Sequence, residues 1–209
     1  MAFTENEWLT YAKRLQASAL TGLAYCKDPY DIERFQEIRG IADEMLAKLF
    51  MAPLEQIAVL APGAKSYVTP MTDVRGAVIE NNQILLVREG VSGLWTLPGG
   101  FADVGLSPAE NVVKEIAEEA CISVTAKQLY SVRHKAKGQF NPDAREFYKL
   151  YFICERTGQE TPVPGPEVSE VAFFPRDRLP ELCKDRVVEE DIQRAFSHYR
   201  QPGQSALFD

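Results

Sequence analysis

The sequence has no C-x-x-C pair: its four cysteines, Cys26, Cys121, Cys154 and Cys183, are scattered. That spacing gives neither a zinc site nor a disulfide frame, and it reads as reduced, mostly buried thiols of an intracellular protein. No apolar run is long enough to cross a bilayer. The N-terminus, helical and charged, lacks a signal-peptide core. A cytoplasmic protein is the expectation. Positive charge is also in short supply, with 23 Lys and Arg against 30 Asp and Glu, a net charge of −7. That sign argues against broad electrostatic binding of nucleic acid. It does not exclude a phosphorylated substrate, because a bound metal reverses the local sign. There is no internal repeat and no low-complexity segment. The content that remains is ordinary: 45% apolar and 25% charged over 209 residues, which fits one domain with an appendage.

Residues 1–66 read as that appendage. Thr4 and Glu7 form a possible capping box. Trp8, Ala12, Leu15, Ala19 and Leu23 then recur at helix spacing. Cys26-Lys27-Asp28-Pro29 breaks the run, and Asp28 can cap a second helix with Pro29 at its first position. Ile32, Phe35, Ile38, Ala42, Met45 and Leu49 give that helix its stripe, and Pro53 and Pro62-Gly63 mark the exit. An αα-hairpin of this size buries little surface alone. It must dock on the rest of the chain or on the same hairpin of a second subunit. The isologous contact is preferred, which predicts a homodimer.

Residues 67–209 read as an α/β sandwich with a mixed sheet. Asp73 to Glu80 and Ile84 to Glu89 are β-rich runs joined by Asn81-Asn82-Gln83, a hairpin signal. Trp95-Thr96 leads to a glycine turn. Ile122 to Thr125 and Leu129 to Arg133 suggest two more strands. Phe147 to Cys154 is apolar on both alternating faces, which places it in mid-sheet. Val171 to Phe174 is a last short strand, and Val188, Ile192, Ala195, Phe196 and Tyr199 mark a C-terminal helix.

Between these strands lies the stretch Leu97 to Ile122, LPGGFADVGLSPAENVVKEIAEEACI. Ser107 as N-cap, Pro108 as first helical residue and Glu110 as third form a capping box. At about 100° per residue, Glu118 falls near −60° and Glu119 near +40° from Glu115, so all three carboxylates share a face. Val113, Ile116, Ala117 and Ala120 fall opposite. For an isolated E-x-x-E-E the ordinary reading is a solvated acidic face. The Gly99-Gly100 turn changes that weighting, because glycine lets backbone carbonyls approach a ligand. Hard divalent cations take oxygen ligands from carboxylates, carbonyls, water and substrate phosphates.

This stretch resembles the Nudix box, G-x5-E-x7-R-E-U-x-E-E-x-G-U with U aliphatic. Gly100, Glu115, Ile116, Glu118, Glu119 and Ile122 match in register. Leu106 replaces the first glutamate, Lys114 the arginine and Cys121 the last glycine. With CKDPYDIERF, DVRGAVIE and GLWTLPGGFADVG, nearly the whole chain resembles Nudix hydrolases with an N-terminal helical domain, the branch of ADP-ribose and CDP-choline pyrophosphatases. The resemblance implies a Nudix α/β/α sandwich. It implies hydrolysis of a nucleoside diphosphate linked to another moiety, giving a nucleoside monophosphate and a phosphorylated product. Glu115, Glu118, Glu119 and the Gly100 carbonyl would hold Mg²⁺ or Mn²⁺. A carboxylate of that face or of a loop would take the proton of the attacking water.

The departures bear on bracing. Lys114 keeps the charge but loses the planar fork, Leu106 is expected to pack, and Cys121 lacks glycine's conformational freedom. Arg75 on the first strand would contact phosphate or base, or else lie on the solvent face. Glu167 and Glu170, in or after the proline-containing loop, are candidates for an extra metal-binding or base carboxylate. Trp95, Phe101 and Phe140 could stack a base, with Trp95 better suited to the core. Arg133, His134, Lys135 and Lys137 read as a solvated strand end, and His134 makes no convincing ligand. A rival within the class acts on nucleoside triphosphates or RNA ends. A rival outside it is a Nudix-like sensor that binds a nucleotide with little turnover and signals through the helical arm.

Overall fold

The computed structural model describes residues 6–60 and 67–209. They fall into two compact units. The first holds the helices α1 (Glu7–Tyr25), α2 (Pro29–Phe50) and α3 (Leu54–Leu60), together with the segment Pro142–Glu146. The capping box expected at Thr4 and the exit at Pro62-Gly63 lie outside the described residues. Asn6 caps α1, its side chain accepting from the Trp8 N–H at 2.9 Å. Asp28 caps α2 through the N–H groups of Tyr30 and Asp31, with Pro29 in the first turn, as expected. Gly22 lets the two helices touch: a Cβ there would lie 2.5 Å from the Phe35 ring.

Of the expected α1 stripe Ala12 and Ala19 are fully buried, but the buried face is rotated away from Trp8 and Leu15. Leu9, Ala12, Lys13, Gln16, Ala19 and Leu20 are buried. Trp8, 64% exposed, and Leu15 point outward. Polar residues take interior places because each is paired. Gln16 donates to Asp43 at 2.6 Å, and Lys13 pairs with Glu146 at 2.7 Å. In α2 the buried residues are Ala42, Asp43 and Leu46, so of the expected stripe only Ala42 is fully enclosed and Leu49 is exposed. Trp8, Tyr11 and Leu15 form an outer apolar face on α1.

The second unit is a seven-stranded mixed sheet between two helices. Its strands are β1 (Met71–Glu80), β2 (Gln83–Glu89), β3 (Trp95–Thr96), β4 (Val124–His134), β5 (Phe147–Arg156), β6 (Val168–Pro175) and β7 (Leu207–Phe208). The order is β3-β2-β1-β5-β4-β7, with β6 on β2. β7 runs parallel to β4, while the pairs β1–β2, β2–β3, β2–β6 and β4–β5 are antiparallel. The β1–β2 turn holds Asn81 and Asn82 at φ 49° and 60°, the left-handed pair that a two-residue hairpin needs. Two expected strands merge: β4 runs through Ala126 and Leu129 with register shifts instead of a loop. Val171 to Phe174 extends to the whole of β6.

Helix α4 (Pro108–Ala120) covers one face and α5 (Glu189–Arg200) the other. On the α4 side Val112, Ile116 and Ala120 meet Val74, Val78, Leu85, Val87 and Phe152. Gly76 permits this approach, since a Cβ there would sit 2.5 Å from Ile116 Cδ1. On the α5 side Ile192, Ala195 and Phe196 meet Ala77, Ile79, Leu86, Tyr130 and Tyr151. The last register pair of β1 and β2 toward this end is Ile79 with Ile84, and β3 pairs with β2 at Val87 and Arg88. Residues 97–101 fill the gap so opened. Gly76 N–H donates to Pro98 O at 2.9 Å and Val74 N–H to Gly100 O at 2.8 Å. The glycine turn is therefore stitched to β1.

Candidate active site

The glycine turn and α4 face each other. Gly99 has φ 144°, and a Cβ on it would lie 2.0 Å from the Val74 carbonyl oxygen, so only glycine fits. Its N–H donates to Glu119 Oε2 at 2.8 Å. At Gly100 a Cβ would meet Glu115 Oε2 at 2.7 Å. The Gly100 carbonyl accepts from Val74 and keeps a second lone pair. Burial pushes the Glu119 carboxyl up to about 7, despite the opposing charge of Arg75 and the Gly99 N–H, and neighbouring Glu115 adds to the rise. Burial raises Glu115 as well. Glu118 is exposed and ion-paired with Lys114 at 2.8 Å. The three carboxylates share the face expected of them. The opposite face is Asn111, Val112, Ile116 and Ala120, while Ala117, expected there, is exposed.

Among the described residues no three His, Cys, Asp or Glu side chains converge tightly enough to cage a metal. Glu118 is drawn toward Lys114 and Glu119 toward Gly99. The donor set still fits a hard cation. Mg²⁺ commonly takes one or two carboxylates, with waters and substrate phosphates completing its shell. Two carboxylates held half-desolvated against a glycine turn make such a partial site.

The bracing differs from expectation. Leu106 does not pack; it is 40% exposed. The loop is held by Asn111, which the sequence reading missed. Its amide is 1% exposed, donates to the carbonyls of Asp103, Leu106 and Ser107, and accepts from Asp103 N–H at 2.8 Å. Only its position on the core side of an amphipathic helix could have flagged it. Lys114 adds an ion pair to Asp103 at 3.2 Å. Asn111→Ala should cost about 2–3 kcal/mol, because the Asp103 N–H and the carbonyls of Asp103 and Leu106 lose this partner, while the Ser107 carbonyl keeps the backbone N–H of residue 111. Urea denaturation would measure this, and a loss under 0.5 kcal/mol would remove Asn111 as the brace. Cys121 adopts the left-handed conformation that glycine would, at φ 53°.

Arg75 lies in neither setting considered from the sequence. It is 1% exposed, forks onto Asp73 through Nε and Nη2 at 2.9 Å each, and donates from Nη1 to the Leu97 carbonyl at 3.1 Å. Its donors hold the strand and the glycine turn. Glu170 sits within β6 and pairs with Arg88 at 2.6 Å. Glu167 lies in the loop whose Gly165 N–H donates to the Glu119 carbonyl at 3.0 Å. That loop caps the end of α4. The Glu167 carboxylate has no partner among the described residues. Trp95 packs edge-on against Phe174, Phe140 is buried, and Phe101 stacks on Phe147 at 5.7 Å. Arg133 is not solvated; it is buried against Asp191 and Asp209.

A NUDIX domain model matches residues 70–194. The chain belongs to the Nudix hydrolases. Residues 6–60 match a second Nudix model, described as a UDP-X-like, N-terminal oligomerisation domain. A Bacillus subtilis (strain 168) protein, YjhB, provisionally named an ADP-ribose pyrophosphatase, is 42% identical over 209 residues, the whole of both chains. The solved structure of a UDP-X diphosphatase is 31% identical, with a TM-score of 0.62, and covers 99% of this chain and 100% of that one. An ADP-ribose pyrophosphatase of Streptococcus suis 89-1591 is 35% identical at a TM-score of 0.61, over 68% of this chain and 100% of its own. The likeness of this Nudix hydrolase to the YjhB protein thus spans both of the segments that the two models match. No helix among the described residues is long and apolar enough to cross a membrane.

Proposed function

We propose that this Nudix hydrolase cleaves, with Mg²⁺ or Mn²⁺, the diphosphate bond of a nucleoside diphosphate linked to another moiety. The products are a nucleoside monophosphate and a phosphorylated moiety. The observation that supports this most is the pair Glu115 and Glu119, half-buried against Gly99 and Gly100, where two like charges in a partly dry site call for a cation. The full-length likeness to proteins named for ADP-ribose and UDP-X widens the substrate class from ADP-ribose and CDP-choline to UDP-linked compounds.

Glu115, Glu118, Glu119 and the Gly100 carbonyl are the metal-holding groups in this reading. A bound divalent ion neutralises phosphate charge and makes a bound water more acidic. The Gly99 N–H orients Glu119, and Lys114 orients Glu118. Arg75 fixes the Leu97 carbonyl and thereby the turn, instead of touching phosphate. Glu167 is better placed than Glu170 to accept the proton of the attacking water, since Glu170 is spent on Arg88. The outer face of Trp8, Tyr11 and Leu15 is the contact of a homodimer. The free thiols suit the cytoplasm.

The test is monophosphate release from ADP-ribose, CDP-choline, UDP-sugars, NADH, diadenosine polyphosphates and dNTPs, with Mg²⁺, Mn²⁺ or chelator. Turnover of a nucleoside diphosphate derivative, lost with chelator, is expected. Release from triphosphates alone would favour the rival substrate class, and tight binding without turnover would favour the sensor. Light scattering at micromolar concentration should give twice the chain mass, and monomer alone would end the dimer proposal.

A further inference from the structure

Arg186 lies outside the Nudix box, and its surroundings prepare it for an anion. Cys183 N–H donates to the Trp95 carbonyl at 2.8 Å, and Trp95 N–H to the Glu181 carbonyl at 3.0 Å. The segment is thus bound to β3, four residues ahead of Gly99. Arg186 N–H then donates to Cys183 O at 2.8 Å, closing a tight turn. The side chain is held by Glu89, at the end of β2, with Nε 2.7 Å from Oε1. Glu89 is held in turn: Ser92 Oγ donates to its Oε2 at 2.7 Å and the Cys183 thiol at 3.2 Å. The closest approach of the ion pair is at Nε, and neither Nη group makes a hydrogen bond among the described residues. The side chain remains 40% exposed.

A plain strut would explain the ion pair, but a half-exposed pair contributes little. It would also leave the fork end, the part suited to two parallel hydrogen bonds, unused.

We propose that Arg186, held by Glu89 and anchored through its turn to β3, the strand that leads into the glycine turn, is a phosphate-contacting residue that grips a phosphoryl group of the diphosphate substrate. This rests on the nucleoside diphosphate reading above. The Nη pair supplies two charge-assisted bonds to nonbridging oxygens, a contact that a lysine makes only as a point charge.

Arg186→Ala, Arg186→Lys and Glu89→Gln should be compared with wild type by steady-state kinetics on the best substrate of the panel. Binding of inorganic pyrophosphate by calorimetry is the second readout. Arg186→Ala is expected to raise KM and weaken pyrophosphate by about 10–100-fold each, the scale of losing hydrogen bonds to a charged group. Arg186→Lys should recover part of this, and Glu89→Gln should fall between. Unchanged KM and pyrophosphate affinity in Arg186→Ala, with only a lower Tm, would make the residue a strut and overturn the proposal. The calorimetry needs no turnover. A wild type inert on the whole panel yet binding pyrophosphate through Arg186 would defeat the substrate reading and leave the anion contact standing.

Discussion

Glu119→Gln should abolish turnover and yet make the metal-free protein more stable. The Glu119 carboxyl rises from 4.5 to about 7, mainly through burial. Below pH 4.5 the folded and unfolded states are both protonated there, so no stability is lost. Between 4.5 and about 7 the unfolded chain has released a proton that the folded state still holds. Stability therefore falls as pH rises through that window and stays low above it. Glutamine can keep accepting the Gly99 N–H while removing the charge. At pH 8 the gain should be on the order of 2 kcal/mol, the full shift being reduced for partial exposure. That corresponds to roughly 4–8 °C in Tm. At pH 5 the gain should shrink to about a quarter of that, and Mg²⁺ should close the gap at pH 8 by stabilising wild type alone. Turnover should fall at least about 100-fold, the scale of losing one electrostatic contact at a reacting phosphate. Melts at the two pH values, with chelator and with Mg²⁺, decide it. Equal stability at pH 8 in chelator, or unchanged turnover, would sink the assignment of Glu119.

The opposite signs in that variant explain why some of the site was legible and some was not. The box is a local pattern. Spacing alone puts Glu115, Glu118 and Glu119 on one face, and Ser107 to Glu110 writes the cap, which the structure shows with both reciprocal bonds. The β1–β2 hairpin and the doubly apolar β5 were readable for the same reason: each is a short-range signal. Residues that act across the fold were not readable. Asn111 looks like any polar residue of a helix, and its role depends on a loop bending back over it. Arg75 looked like a surface or ligand residue because a buried arginine is rare unless paired. Its partners are Asp73, two positions away on the same strand, and the backbone at Leu97 across the turn. The α1 stripe was right at Ala12 and Ala19 and missed the rotation that buries Lys13 and Gln16, because these find polar partners at long range, which no apolar count registers. β7 is two residues long and owes its assignment to β4, so periodicity had nothing to detect.

Asp73→Ala should be the most damaging substitution away from the carboxylate face. Asp73, Arg75 and Lys149 are all nearly sealed from solvent, and one carboxylate serves two cations: Arg75 through both oxygens at 2.9 Å, and Lys149 at 3.0 Å on Oδ2. Burial alone would raise the Asp73 carboxyl, but the two cations outweigh it and hold it below its ordinary value. Removing it leaves two buried positive charges facing each other, a loss of about 3–5 kcal/mol. The pH response should identify the cause. Burial, with the like charge of Arg75, depresses Lys149 from 10.5 to about 8, Asp73 opposing. In wild type the unfolded chain therefore binds the extra proton between about 8 and 10.5, and this group adds stability as pH rises through that window. Without Asp73 the Lys149 value falls further, so the rise should begin at lower pH in the variant. Lys149→Met in the Asp73→Ala background should recover part of the loss, since an apolar side chain of similar length replaces an unpaired charge. Activity should not return with it, because Arg75 would still lack the carboxylate that aims its Nη1 at the Leu97 carbonyl and so sets the glycine turn against Glu119. Chemical denaturation of the single and double variants from pH 6 to 9, alongside turnover, separates the two effects. A loss below about 1 kcal/mol, or recovery of turnover together with stability, would show that this cluster neither supports the fold nor positions the turn.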